Sequence, residues 1–148
     1  MAPATALSPQ ALADAAKAPF LAFNERDWAK AKTSMTPDFG YDEVATGRET
    51  TSADDTIELW KGWVQAFPDA KGTIHNTHLA GNNIVVLELS WKGTHKGPLQ
   101  TPGGAIPATG KSIDVRACAV VEVSGERARR QRHYFDMATL LRQIGIAG

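Results

Sequence analysis

Apolar side chains recur every three to four positions in the first half of the chain and every second position in the second half. Ser8-Pro9 reads as an N-cap followed by proline in the first turn, and QALADAAKAPFLAF then aligns Leu12, Ala16, Phe20 and Phe23 on one helical face. Pro19 is expected to kink or divide that helix, because it removes one hydrogen bond and crowds the preceding turn. A short second helix is expected from Asp27, which can cap it, to Lys32, ahead of Pro37. In TSADDTIELWKGWVQAF, Thr51 or Ser52 caps a third helix, and Asp54 and Asp55 sit at the positive end of its dipole. Ile57, Trp60, Val64 and Phe67 follow at helical spacing before Pro68 ends the run.

Beyond Pro68 the period shortens to two. Lys71 to Ala80 reads as a strand, Gly81-Asn82-Asn83 as a turn and Ile84 to Gly93 as the returning strand of a hairpin. The glycine- and proline-rich GTHKGPLQTPGGAIPATG then precedes a strand from Lys111 to Val123. Ser124-Gly125-Glu126 turns the chain into a last strand, Arg127 to Phe135, and MATLLRQIGI closes as a helix. Helices first and about four antiparallel strands afterwards is a segregated α+β order, which predicts a curved sheet folded over the N-terminal helices.

Composition narrows the class. With 148 residues, 43% hydrophobic and 22% charged, residues 1–148 fit one domain with a real core. Sixteen basic and sixteen acidic side chains balance, so no long-range field for nucleic acid or an anionic membrane is expected, and the expected ligand is a small molecule. The same balance leaves colloidal repulsion weak, which agrees with a homo-oligomer. Cys118 is the single cysteine, no basic-then-apolar leader opens the chain and no apolar run reaches membrane-spanning length, so a cytoplasmic location is expected.

Candidate chemistry clusters near the end of the last strand. Alternation puts Arg130, Arg132, Tyr134 and Asp136 on one face and Arg129, Gln131, His133 and Phe135 on the other. On the preceding strand Asp114, Arg116, Cys118, Val120 and Glu122 share a face that either meets solvent or lines a cavity. Asp136 is either the N-cap of the last helix or a carboxylate at a sheet end beside Tyr134, placed to move a proton. His95 stands in a flexible Gly93-Thr94-His95-Lys96-Gly97 loop. His75 and His78, three apart on a strand, are expected on opposite faces, and with His133 they make no metal-ligand set, so no metal is expected. Glu88 and Arg116 are charges inside apolar strands, where they could satisfy each other or act on a ligand. Trp60, Trp63 and Trp91 suit either the core or an aromatic cavity. Phosphate-loop, dinucleotide and nucleophile-elbow signatures are absent from the sequence, so any reaction is expected to need no cofactor.

AFPD at 66 to 69, GTHKGPL with IPATGK behind it, R-x-C-x-V within a strand and the terminal HYFDMATLLRQIGI occur in an order and spacing that resembles the SnoaL-like polyketide cyclase family, often labelled ester cyclases. The resemblance covers roughly residues 20 to 146. It implies the cone-shaped α+β barrel of the nuclear transport factor 2 superfamily, with N-terminal helices closing a pocket on a curved antiparallel sheet, and a homodimer. It also implies a cofactor- and metal-independent aldol cyclisation by one acid near the end of the last strand, a position that Asp136 matches.

On that reading Asp136 and His95 are the catalytic candidates. Tyr134, Arg116, His78, Glu88, Trp63, Trp91 and Cys118 are candidates for binding a hydrophobic carbonyl substrate. One departure stands out: where many members carry a histidine after the second helical region, this chain reads PDFGYDEVATGRE and offers Tyr41, Asp42 and Glu43. The fold hosts several chemistries, so an isomerase, an epoxide hydrolase using Asp136, Arg116 and Asp114, and a non-catalytic binding dimer remain alternatives.

Overall fold

A computed structural model describes residues 7–146. Helix α1, Pro9–Glu25, is capped by Ser8, whose side chain accepts from the Ala11 N–H. Of the two outcomes expected at Pro19, a kink or a division, the division does not occur: the helix runs on through it. The lost hydrogen bond is outweighed by burial of Leu12, Ala16, Phe20 and Phe23 on the face that covers the sheet. Helix α2, Trp28–Thr33, is capped by Asp27, and α3, Ala53–Ala66, by Ser52.

Between α2 and α3 the chain forms two strands that its proline and glycines hide, β1 at Met35–Glu43 and β2 at Arg48–Thr50. The long hairpin follows as β3, Lys71–Ala80, and β4, Ile84–Thr94. Within the Gly/Pro-rich loop lies a small separate hairpin, β5 at Leu99–Thr101 and β6 at Gly104–Ile106. Strands β7, Ser112–Ser124, and β8, Arg127–Phe135, lead into α4, Met137–Gln143.

The main sheet has the order β2-β1-β8-β7-β4-β3. It is open, with β2 and β3 at its edges, and so stops short of a closed barrel. Its pairs are antiparallel except β1 with β8, which run parallel. That parallel pair sets Tyr41 beside Gln131 and Glu43 beside His133. On the concave face, buried Val85, Leu87 and Leu89 of β4 and Val115, Ala117, Ala119 and Val121 of β7 form the floor under α1 and α3. The convex face carries Glu88, Arg116, Arg130 and Tyr134 to solvent.

Candidate active site

A cavity lies between the concave face and helices α1 and α3. The floor is hollow because small residues oppose large ones: Ala119 pairs with His133 and Ala117 with Phe135. Phe20 and Phe23 of α1, Trp60 and Trp63 of α3 and Trp91 of β4 form aromatic walls. Trp91 takes its place because Gly72 beside it on β3 has no side chain; a Cβ there would lie 2.9 Å from the indole ring.

Four polar side chains from β1 and β8 are buried in that apolar wall: Tyr41, Glu43, Gln131 and His133. The Glu43 carboxylate has no exposed surface and accepts from five donors. Oε2 takes the Tyr41 hydroxyl and the Trp63 indole N–H, each at 2.9 Å. Oε1 takes the Thr46 hydroxyl at 2.6 Å and the Arg48 guanidinium at 2.6 and 3.0 Å. Arg48 itself reaches solvent and lies over the Trp63 ring, so the buried acid is tied to a half-exposed cation.

The His133 tautomer follows from its partners. The Trp91 indole N–H can only donate, and it lies 3.1 Å from Nε2, so Nε2 carries the lone pair. Nδ1 therefore carries the proton and donates to the Tyr41 oxygen at 2.8 Å, leaving the Tyr41 hydroxyl to donate to Glu43. Burial holds the His133 pKa down at about 4 from its ordinary 6.5, against the opposing pull of the Glu43 charge. The Tyr41 hydroxyl is pushed well above its ordinary range, by burial first and by Glu43 second. The result is an ordered chain, Trp91 to His133 to Tyr41 to Glu43, in which the Nε2 lone pair accepts from the Trp91 N–H.

Trp63 and Trp91 are where the aromatic-cavity reading placed them. Asp136 is not in the cavity: its side chain is exposed and caps α4, accepting from the Ala138 N–H at 3.0 Å and the Thr139 hydroxyl at 2.7 Å. Those hydrogen bonds, the one from the Thr139 side chain foremost, hold its carboxyl below the usual range, opposite to what a pocket base needs. We expect Asp136→Asn to leave turnover unchanged, and Asp136→Ala to lower the urea midpoint slightly with turnover intact.

His95 is fully buried but outside the cavity lining. Its ring packs on Phe67 with centroids 5.3 Å apart, and its Nδ1 lies 3.0 Å from the Thr109 hydroxyl, which ties the loop after β4 to the segment before β7. Desolvation lowers its pKa. Tyr134, Arg116, Cys118, Glu88 and His78 sit on the convex face, the solvent alternative for this parity. There Glu88 pairs with His78 at 2.6 Å in place of Arg116. Asp114 lies 3.9 Å from Lys92 and the Asp136 carboxylate is held by Ala138 and Thr139, so among the described residues no ion pair joins the three groups proposed for epoxide opening. A bulge between Ile74 and Asn76 also reverses the expected alternation: His75 meets Ser90 and His78 meets Glu88, two residues of one face of β4. Among the described residues no three His, Cys, Asp or Glu side chains gather as a metal set, and no helix is long and apolar enough to cross a membrane.

The sequence reading missed His133 and Gln131 as functional groups because they share parity with the core. Polar residues alternating into an apolar face, next to the Tyr41-x-Glu43 pair, were the available signal.

An open curved sheet with helices over one face and an aromatic, acid-lined hollow between them defines a small α+β pocket protein. The structure of a protein with a ketosteroid isomerase-like fold from Catenulispora acidiphila is similar, at TM-score 0.74 and 18% identity over 95% of each chain. TsrD from Streptomyces laurentii is similar at TM-score 0.79 and 18% identity, covering 94% of this chain and 98% of that one. IdmH from Streptomyces antibioticus, proposed to be a polyketide cyclase, is similar at TM-score 0.76 and 21% identity, covering 91% of this chain and 99% of that one. No curated protein matches the sequence. The family model of the SnoaL-like polyketide cyclases matches residues 13–144, and the chain belongs to that family.

Proposed function

We propose that the protein is a cofactor-independent acid/base enzyme of this family that enolises a hydrophobic carbonyl compound, for intramolecular aldol cyclisation or isomerisation. The observation that carries the reading is the directional chain from the His133 lone pair through Tyr41 to Glu43.

A C–H bond beside the ligand carbonyl breaks, its proton passes to His133 Nε2 in place of the Trp91 N–H, and its electron pair enters the enolate. The Nδ1 proton moves to the Tyr41 oxygen and the Tyr41 proton to Glu43 Oε2. His133 and Tyr41 end neutral, and the negative charge has moved from Glu43 to the enolate. Because burial disfavours an imidazolium here, the relay passes the proton onward instead of storing it. Glu43 has no exposed surface, so it reaches a ligand only through this chain. Reversal of the steps protonates the product oxygen or carbon.

A panel of aromatic polyketide methyl esters, ketosteroids and epoxides tests this reading. Wild type is expected to turn over one carbonyl class, and Tyr41→Phe, which cuts the relay but keeps the ring, to lose about 100-fold. A second reading, a non-catalytic binding module, is favoured by one observation, the engagement of Asp136 as a helix cap. It predicts that wild type and Tyr41→Phe bind the panel equally and transform none of it. The expected homodimer belongs to the same proposal and agrees with the zero net charge; light scattering of the purified protein gives its mass directly.

A further inference from the structure

We infer that Gln131 is the specificity-determining residue of the cavity, and that its amide hydrogen-bonds the carbonyl oxygen of an uncharged aromatic ligand. The inference rests on the carbonyl-compound reading above and names the group that would recognise it.

Gln131 is 2% exposed and lies on the concave face between Tyr41 of β1 and Val121 of β7. Around the relay Glu43 has its five donors, Tyr41 and His133 bond each other, and Trp63 and Trp91 have their acceptors. Among the described residues the Gln131 amide has no hydrogen-bond partner. Neither amide atom is among the sealed, unpartnered side-chain atoms, and Gln131 lines the cavity. A buried amide left unpaired is costly, and native proteins keep few of them. A ligand oxygen in the cavity would satisfy it.

Position adds to the case. Gln131 and His133 are two apart on β8 and share a face, roughly 7 Å along the strand. An oxygen held by the Gln131 NH₂ group therefore sets the carbon beside it toward the His133 lone pair, and the same donor would face the enolate oxygen as charge develops there. Charge selection follows from the neighbours. Arg48 is committed to Glu43 and Lys92 is exposed, so among the described residues no free cation inside the wall would offset an anionic ligand beside the buried Glu43. The ring-lined walls accept flat apolar bodies.

Three probes of one shape test the inference: 2-acetylnaphthalene, 2-ethylnaphthalene and 2-naphthoate, titrated against the tryptophan fluorescence of the cavity walls. Wild type is expected to bind the ketone at least about tenfold more tightly than the hydrocarbon or the carboxylate. Gln131→Leu should erase the preference for ketone over hydrocarbon without weakening hydrocarbon binding. Ligand-free Gln131→Leu should also unfold at the wild-type temperature or above it, since it removes an unpaired amide from an apolar site. A ketone preference that survives Gln131→Leu, a wild type that prefers the carboxylate or shows no preference, or a markedly destabilised variant would each overturn the assignment. The enolisation reading fails separately: wild type would then bind the ketone through Gln131 yet transform no member of the panel.

Discussion

Glu43→Gln is expected to lower turnover by about 10²- to 10⁴-fold, the range that removal of a general acid/base brings. The substitution keeps the side-chain shape but leaves nothing at the end of the relay that can hold the proton. It also disturbs the donors. Both Glu43 oxygens accept in the native site, whereas an amide must turn an NH₂ group either toward Tyr41 and Trp63 or toward Thr46 and Arg48. At least one buried donor then faces another, at a cost of about 1–3 kcal/mol in stability. Arg48 moderates the loss because it is 41% exposed in its side chain and can turn to water. Steady-state kinetics with urea unfolding separates the two effects. Unchanged turnover in a folded Glu43→Gln protein would place the proton elsewhere.

Acidification from pH 6.5 to about 4 is expected to remove on the order of 3 kcal/mol of stability through His133 alone. The sign follows from the depressed pKa. Above 6.5 the imidazole is neutral in both folded and unfolded chains and favours neither. As the pH falls, the unfolded chain takes up the proton first, so stability is lost until the folded protein protonates near 4, below which this contribution is constant. Urea midpoints measured across that window should slope steeply in wild type and much less in His133→Phe, whose aromatic ring cannot titrate. Equal slopes in the two proteins would mean that His133 titrates in the fold as it does in the unfolded chain.

The helices were legible because their signals are local: Ser8, Asp27 and Ser52 each cap where the sequence places a cap. The β3–β4 and β7–β8 hairpins were legible from alternation and turn residues, whereas the short β5–β6 hairpin was hidden in the Gly/Pro-rich segment. What stayed hidden depends on pairing between distant segments. Strand β1 carries Pro37 and Gly40 and shifts register between Met35 and Gly40, so it has no clean alternation, yet its parallel pairing with β8 builds the site. Asp136 fitted both a cap and a base, and chain order alone could not show which way the carboxylate turns; the Ala138 and Thr139 donors decide it. The face assignments on β7, and on β8 from Arg130 onward, were right as sets, whereas the register shift opposite Glu122 and Val123 leaves Arg129 exposed instead of with Gln131 and His133; which set met the helices was settled only by the packing of the helices over the sheet.

The first experiment is α-proton exchange of 2-acetylnaphthalene in deuterated buffer, followed by proton NMR with wild type, Tyr41→Phe and Glu43→Gln. Enolisation through the relay predicts that wild type exchanges the methyl protons well above the buffer rate and that both variants fall close to it. Binding of the ketone by wild type with exchange at the buffer rate, or exchange that both variants retain in full, would contradict the relay.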